Sequence, residues 1–219
     1  MTTAPDRRLI AIEGLPGSGY ADFARWIGGR SGWHVDCEDT SQWESKPRAS
    51  RPALLSALLQ RLLDRYERAQ ALVGTDLFRE RLVIDHTFAT HLLWAQALLP
   101  EREWTLYRRI AGVITPPVVV PDLVVYLQAP EGDLLTALHR LNRTVESERW
   151  RDLITAYSHH FFAYDQSPLL VVRTQSSAWL ESDGAREALW ERILTYPGGR
   201  TYLSGEADLW SGGRPGDDA

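Results

Sequence analysis

The chain contains 219 residues, of which 24 are basic and 29 are acidic, so its formal net charge at pH 7 is -5. This excess of acidic side chains is unfavourable for a general nucleic-acid binder and for binding to acidic membranes. Hydrophobic residues make up 44% of the chain, enough for a sizeable core, and the length suits one α/β domain with or without a short tail.

The first predicted elements lie between Arg8 and Arg25. A buried strand at 9–12 leads into a glycine-rich turn and then a helix from about Tyr20, an arrangement that cradles phosphate groups. Gly14 and Gly19 have the spacing of the pattern G-x-x-x-x-G-K-[ST]. The predicted phosphate-binding residues of this turn are Gly14, Gly17, Ser18, Gly19 and Tyr20.

Two positions of the turn depart from that pattern. Tyr20 stands where the pattern has lysine, and Ala21 stands where it has serine or threonine. The turn therefore keeps backbone N–H groups for a phosphate but lacks the ammonium group and the hydroxyl that binds Mg²⁺. A neutral phenol at pH 7 supplies no positive charge.

Strands and helices alternate along the rest of the chain. The further predicted strands are 33–36, 81–85, 122–128 and 169–173, and the predicted helices are 20–30, 53–73, 87–99, 101–113, 131–141, 152–164 and 183–194. This alternation predicts an α/β fold with a doubly wound five-stranded parallel sheet and helices on both faces. The glycine turn after the first strand makes the predicted fold P-loop NTPase-like. Residues 38–52 are predicted to form a surface loop. The domain is predicted to cover residues 1–196, and the Gly-rich residues 197–219 to form a flexible tail.

Composition also bears on location. Cys37 is the only cysteine, which excludes an intramolecular disulfide and a cysteine-based zinc site and is typical of a reducing, cytoplasmic setting. Residues 1–7 lack the apolar segment of a signal peptide. Prolines interrupt the apolar run 113–127, so we expect no membrane span.

Several segments in order resemble one family. They are PDLVVYLQA at 121–129, AYSHHFFAYDQSP at 156–168, LDRYERAQ at 63–70 and LVIDHT at 82–87, together with Glu38 and Trp43 in the spacing of an EPxxxW motif. The chain resembles the deoxynucleoside kinases over roughly residues 8–195. These P-loop enzymes move the γ-phosphate of ATP to the 5′-hydroxyl of a deoxynucleoside.

The resemblance implies roles for particular residues. Glu38 is the implied general base for the 5′-hydroxyl. Arg65 is implied to pair with Glu38 or with a substrate hydroxyl, and Asp85 to hold Mg²⁺ directly or through water. The residues implied on the substrate side are Trp43, Arg65, Asp85, His86 and Phe88. ATP and Mg²⁺ are the implied cofactors.

A helix followed by an arginine-bearing lid is also part of the resemblance. Arg140 and Arg143 are implied to close over the phosphates, with Arg143 as a catalytic group that helps to replace the missing lysine. The family forms dimers, which implies a homodimer, or a heterodimer with a paralogue, through the helices near 53–73 and 87–113.

Each residue also has a purely structural interpretation. Glu38 is equally explained as an acid in a polar loop, and Asp85 as an acid that caps the next helix. The arginines are equally explained as solvated helix charges, and His86 as a structural histidine. The sequence alone leaves both interpretations open.

The departures from the family leave three functions open. Beyond Tyr20 and Ala21, the chain has His86 for the motif arginine, His91 for an acid and Leu58 for the glutamine that reads the base. The first function is that of a working but divergent kinase. The second is that of a catalytically silent family member, which binds a nucleotide or nucleoside or serves as the partner subunit of an active paralogue. A different P-loop small-molecule kinase is the third function, and the segments quoted above argue against it.

Overall fold

A computed structural model describes residues 6–38, 51–74, 80–114, 119–141, 145–174, 176 and 179–204. The strands in these ranges are β1 (Leu9–Gly14), β2 (His34–Asp36), β3 (Leu82–Ile84), β4 (Leu123–Gln128), β5 (Leu169–Arg173) and β6 (Arg200–Ser204). The helices are α1 (Tyr20–Ser31), α2 (Arg51–Gly74), α3 (Thr90–Leu98), α4 (Glu101–Ala111), α5 (Glu131–Leu141), α6 (Ser147–Ala163) and α7 (Asp183–Thr195), with a 3₁₀ turn at Trp179–Glu181.

The strands form one sheet in the order β2-β3-β1-β4-β5-β6. Every neighbouring pair is parallel, and Ala11 in the central strand lies between Ile84 of β3 and Val124 of β4. The α/β class and the doubly wound parallel sheet predicted from the sequence are therefore confirmed. The glycine turn after β1 and the segments after β2 and β3 meet at the carboxyl edge of this sheet.

Both faces of the sheet are covered because successive strand residues point to opposite sides. Leu9 and Ala11 of β1 pack against the core formed with α2 to α6, whereas Ile10 and Ile12 pack against the core formed with α1 and α7. Glu13 has the parity of Leu9 and Ala11. Its carboxylate is therefore directed towards the face that carries α2 and α3.

Within the described ranges the sheet has six strands, so the predicted count of five was wrong. The additional strand β6 lies within residues 197–219, which the sequence assigned to a flexible tail. Gly198 and Gly199 make a turn with φ of 120° and 80°, after which the chain pairs with β5. Only Leu203 of β6 is buried, so this edge strand lacks the apolar run that marks β1, β3, β4 and β5. Residues 205–219 lie outside the described residues.

Helix α6 begins at Ser147, earlier than the predicted 152. The charged residues 140–151 concealed this start, although Trp150, Leu153 and Tyr157 have helical spacing and are fully buried. In the described part of the chain, no helix is both long and apolar enough to cross a membrane.

Candidate functional site

The glycine turn joins β1 to the N-terminus of α1. Gly17 and Gly19 have φ of 96° and 81°, a left-handed conformation that favours glycine. The backbone N–H of Ser18 donates to the carbonyl of Leu15 over 2.9 Å, and that of Phe23 donates to the carbonyl of Gly19 over 2.9 Å. The turn therefore presents a helix N-terminus of the kind that binds anions.

The turn is closely packed on two sides. A Cβ atom at Gly14 would lie 2.2 Å from the Ser18 hydroxyl oxygen, and one at Gly17 would lie 2.7 Å from the Cβ of Ala137 in α5. The Ser18 hydroxyl is buried and has no hydrogen-bond partner among the residues described. It is therefore an unpartnered polar group packed beside Gly14.

Replacing Gly17 with alanine should destabilise the protein by about 1 to 3 kcal/mol, because a side chain there is strained by the positive φ and meets α5. The matched control is Gly29→Ala, since Gly29 lies within α1 and its added Cβ meets open space. That control should stabilise by about 0.5 to 1 kcal/mol. Equal denaturant midpoints for the two variants would contradict the packing described for the turn.

Tyr20 begins α1 and is only 7% exposed. Burial raises the pKa of its phenol well above the usual range, the Asp85 carboxylate raises it further, and the Arg61 guanidinium opposes this rise. Tyr20 therefore stays neutral near the acidic residues of the site. Tyr20 stands at the sequence position where the pattern has lysine, and its neutral ring does not supply the positive charge of lysine.

Glu38 follows β2 and lies between two arginines of α2. Arg65 donates from Nε to Oε1 and from Nη2 to Oε2, the latter over 3.0 Å, and Arg61 donates from Nε to Oε2 over 3.0 Å. The three side chains are nearly buried, with exposures of 9% for Glu38, 10% for Arg61 and 1% for Arg65. Burial opposes ionisation of Glu38, but the two guanidinium groups outweigh it and hold the pKa of Glu38 well below its usual range.

Arg65 is also fixed on its far side. Its Nη1 donates to the carbonyl of Thr87 and to the hydroxyl of Thr90, each over 2.8 Å. The partner Glu38 keeps the Arg65 pKa above its ordinary value against the effect of burial. The ion pair with Glu38 that the sequence suggested is present, and Arg65 is its rigid member.

Asp85 follows β3 and joins the site to Glu38. Its Oδ1 accepts the backbone N–H of Glu38 over 2.9 Å and lies 3.0 Å from Nδ1 of His86. Its Oδ2 is buried and has no partner among the residues described. Oδ1 of Asp85 does not cap the following helix. It accepts a hydrogen bond from the segment that follows β2.

The acidic side chains of the site offer Mg²⁺ few protein ligands. No group of three or more His, Cys, Asp or Glu side chains able to hold a metal occurs in the described part of the chain. The orphaned Oδ2 of Asp85 is one carboxylate oxygen, and Mg²⁺ commonly binds one or two carboxylates together with substrate phosphates and waters. Asp85 therefore fits an ion that arrives with a nucleotide.

Glu13 is a site residue that the sequence analysis missed. It is the second-last residue of β1 and is 1% exposed, and its Oε1 accepts the backbone N–H of Thr87 over 2.5 Å and the Thr87 hydroxyl over 2.7 Å. Burial raises the Glu13 pKa, and the charge of Arg65 opposes this rise. Strand parity places Glu13 on the same face as Leu9 and Ala11, but the sequence gives no signal for its partner Thr87.

A family model for deoxynucleoside kinases matches residues 10–196 of the chain. The protein belongs to the deoxynucleoside kinase family. The match covers the glycine turn, Glu38, the arginines of α2 and Asp85. Among curated proteins, no sequence matches this deoxynucleoside kinase family member.

Solved structures place the chain in the P-loop kinase fold. Deoxyadenosine kinase from M. mycoides with dCMP and dCDP bound has a TM-score of 0.67 at 15% identity, over 84% of this chain and 98% of that chain. The same enzyme with dATP bound gives 0.62 at 15% identity, over 84% and 98%. Thymidylate kinase from Ehrlichia chaffeensis gives 0.54 at 14% identity, over 86% and 100%. At these identities the likeness shows the fold alone.

Three of the residues predicted on the substrate side lie around the same cavity. Arg65, His86 and Phe88 line one cavity of about 180 Å³, whose apolar walls include Leu72 and Ile84. A cavity of about 150 Å³ is large enough to bind benzene, so a planar ring fits this space. Phe88 also packs edge-on against His91, with ring centroids 4.7 Å apart.

One predicted residue of the family site lies apart from the others, and two lie outside the described residues. Arg140 is exposed near the end of α5, and within the described ranges it makes no hydrogen bond or ion pair. Trp43 and Arg143 lie outside the described residues. The lid and the wall of the nucleoside pocket therefore remain predictions.

Arg61 and Trp94 complete the site beside Glu38. The Arg61 guanidinium lies 4.6 Å from the ring centroid of Trp94, and Nε1 of Trp94 donates to the hydroxyl of Tyr157 over 2.8 Å. Arg61 was not singled out from the sequence, although Arg61, Arg65 and Arg68 have the i, i+4, i+7 spacing of one helix face.

The family acid is replaced by His91, whose buried imidazole makes stability depend on pH. Its Nδ1 lies 2.9 Å from the Tyr107 hydroxyl, and burial, aided by Arg65 and Arg61, lowers the His91 pKa to about 3. The unfolded chain binds a proton here below about pH 6.5, whereas the folded chain does not. Stability from His91 is complete above that pH and falls by about 1.4 kcal/mol per unit as the pH drops towards 3.

Urea unfolding of the wild type and of His91→Asn between pH 7 and pH 4.5 measures this effect. Asparagine keeps a polar group for Tyr107 but does not titrate, so the variant should lose stability less steeply. Parallel curves for the two proteins would show that His91 is not held neutral in the fold.

Proposed function

We propose that the protein is a slow deoxynucleoside kinase that transfers the γ-phosphoryl group of ATP to the 5′-hydroxyl of a deoxynucleoside. The observation that carries this proposal is the joined pair of acids at the carboxyl edge of the sheet. Glu38 and Asp85 are tied by the 2.9 Å bond from the Glu38 N–H to Asp85 Oδ1, beside a turn suited to phosphate. Glu38 is the acid proposed to accept the proton, and Asp85 has an unpartnered buried oxygen for a cation.

In the proposed reaction, the turn from Gly14 to Tyr20 holds the phosphates through backbone N–H groups. The deoxynucleoside lies beyond Glu38, with its ring in the cavity beside Arg65, His86 and Phe88. The 5′-oxygen forms a bond to the γ-phosphorus while the bond from phosphorus to the β,γ-bridging oxygen breaks. ADP leaves with that electron pair, and the hydroxyl proton passes to the Glu38 carboxylate.

Asp85 is proposed to hold Mg²⁺ through Oδ2, together with the nucleotide. The ion supplies charge neutralisation for the phosphate oxygens when it is bound. His86 fixes the other oxygen of Asp85, and Glu13 fixes the following residue Thr87, so the carboxylate keeps its direction.

The proposed activity is slow because the turn lacks two groups. Removing a single preorganised donor from a transition-state site costs about 10² to 10³ in kcat. Tyr20 and Ala21 remove a cation and a metal-binding hydroxyl from this turn. Arg143 remains the lid residue proposed to offset part of that loss.

A second candidate function is nucleotide or nucleoside binding without catalysis, including a role as the partner subunit of an active paralogue. Two features favour it. The neutral Tyr20 replaces the lysine, and two guanidinium groups hold Glu38, which makes its carboxylate a poor proton acceptor.

One assay separates these functions. The purified chain is incubated with γ-labelled ATP, Mg²⁺ and each common deoxynucleoside, with deoxynucleoside monophosphates as a parallel arm for another small-molecule kinase. We expect slow labelling of a deoxynucleoside and faster labelling by Tyr20→Lys/Ala21→Ser. Absence of product with both proteins, together with thermal stabilisation by ATP or a deoxynucleoside, would instead support the silent binder.

The proposal includes a cytoplasmic location, which the single thiol of Cys37 favours, and a homodimer or a heterodimer with a paralogue. Exposed apolar side chains on the helices predicted for that interface support the dimer: Leu63, Val73, Leu106 and Val113. Sedimentation velocity of the wild type and of Leu106→Asp tests it. A wild-type protein that sediments as a monomer at all concentrations would exclude the homodimer.

A further inference from the structure

We propose that the cavity beside Arg65 admits a deoxynucleoside whose base carries a short, unbranched apolar substituent at the end remote from the sugar. This inference rests on the proposed function, because it names the substrate class of the same site. Three features of the cavity support it: its length, the apolar side chains at its far end, and the exposed side chains that border that end.

The cavity is longer than one base ring. Thr87 lines its near end and is held by Glu13, the second-last residue of β1. Pro121 lines its far end, and the next residue, Asp122, donates its backbone N–H to the carbonyl of Leu9 over 2.8 Å. Leu9 begins β1, four residues before Glu13, and that separation is about 13 Å along a strand.

Helix α2 gives a second measure of this length. Arg65, Ala69 and Leu72 line the cavity in succession along the helix. Arg65 and Leu72 are seven residues apart, which is about 10 Å along an α-helix. Because Arg65 binds both carboxylate oxygens of Glu38, the near end of the cavity adjoins the proposed acceptor of the 5′-hydroxyl proton.

The position of the sugar determines which end of the base points along the cavity. In the proposed reaction the 5′-hydroxyl lies at Glu38, so the sugar lies at the near end. In a pyrimidine deoxynucleoside the sugar is attached to N1, and C4 with its exocyclic group lies on the opposite side of the ring. A base that extends from the sugar into the cavity therefore directs this exocyclic group towards the far end.

The far end of the cavity favours hydrocarbon. Its walls include Leu72, Val119 and Pro121. The hydroxyl of Tyr164, which also lines this end, is already hydrogen-bonded to that of Ser167 over 2.9 Å. The volume of about 180 Å³ is little larger than the cavity of about 150 Å³ that binds benzene, so the room beside a base ring suits a narrow chain.

Solvent-exposed side chains border the far end. Val120 is 44% exposed, and Gln166 is also exposed. A chain longer than the cavity therefore emerges into solvent beside these residues. The affinity gained for each added carbon should decrease once the chain has passed Val120.

Calorimetric binding of deoxycytidine derivatives tests the inference, because their exocyclic nitrogen N4 is attached to C4. From the N4-methyl to the N4-propyl derivative, affinity should rise about threefold to fourfold for each methylene, the effect of burying one CH₂ group. The further rise for each methylene up to N4-hexyl should be smaller. Equal or falling affinity from N4-methyl to N4-propyl would overturn the inference.

The matched control ligand is N4-(2-hydroxyethyl)deoxycytidine. It has the length of the propyl derivative but ends in a hydroxyl, so it should bind no better than the N4-methyl derivative. Equal affinity for the hydroxyethyl and propyl derivatives would contradict an apolar far end.

Ala69→Phe tests whether the substituent lies in the cavity. The added ring fills the wall between Arg65 and Leu72, so the N4-propyl derivative should lose its advantage over N4-methyl. The matched control is Gln70→Phe, which adds the same ring at an exposed position of α2 and should keep that advantage. An advantage retained in a folded Ala69→Phe would overturn the inference. If that variant does not fold, the wild-type series decides.

Transfer of label from γ-labelled ATP separates this inference from the kinase proposal. Rising affinity along the series without labelling of any deoxynucleoside would support the cavity and overturn the kinase. Labelled deoxycytidine without rising affinity would overturn the cavity inference alone. Absence of binding by every member would also overturn it, and the labelling assay with the other deoxynucleosides would then decide the kinase proposal.

Discussion

Replacing Glu38 with glutamine should lower phosphoryl transfer by about 10² to 10⁴-fold, the usual contribution of a general base. Glutamine has nearly the same shape, but it does not accept the proton of the 5′-hydroxyl. The rate of deoxynucleoside monophosphate formation under saturating ATP measures the effect. A variant with more than half of the wild-type rate would exclude Glu38 as the base.

The control for this variant is Glu131→Gln. Glu131 is also a glutamate paired with an arginine, but its side chain is 58% exposed and its partner Arg151 lies on the surface. We expect no change in rate for the control. Because Glu38→Gln also leaves two buried guanidinium groups without a counter-charge, its unfolding free energy should be measured alongside its rate.

The second large effect is expected for Arg65→Met, which should reduce the free energy of unfolding by about 3 to 5 kcal/mol. Methionine fills much of the same volume, but Glu38 loses its two-point partner, and Thr87 and Thr90 lose a donor. Equilibrium unfolding in urea gives the loss directly.

Arg151→Met is the matched control for Arg65→Met. The Arg151 ion pair is more than half exposed, so its loss should cost less than about 1 kcal/mol. A similar cost for both arginines would mean that the network around Arg65 contributes no more than a surface pair.

Most of the fold was predictable because its signals are local. Strands β1, β3, β4 and β5 are apolar runs in the sequence. The glycines of the turn have the spacing that a left-handed backbone and a helix start require. Strand β6 has no such signal, since Leu203 alone is buried and the preceding glycine pair is equally typical of a loop. An edge strand of this kind forms because β5 offers it an unpaired edge.

The site was predictable where sequence motifs place residues at strand ends, as for Glu38, Asp85 and the turn. The partners of those residues come from other elements and were harder to find. Arg61 has ordinary helical spacing, and Glu13 looks like the end of an apolar strand. Their roles depend on which faces of α2 and β1 meet across the sheet, which only the tertiary structure decides.

The close approach of Gly17 to α5 has a mechanical consequence. A single added carbon at Gly17 would contact Ala137, so there is no free space between the turn and α5. A ligand that pushed Gly17 outwards would have to displace α5. Helix α5 ends at Leu141, immediately before the segment that contains Arg143. We therefore expect a bound nucleotide that presses on Gly17 to change amide exchange in α5, which can be measured with and without ATP.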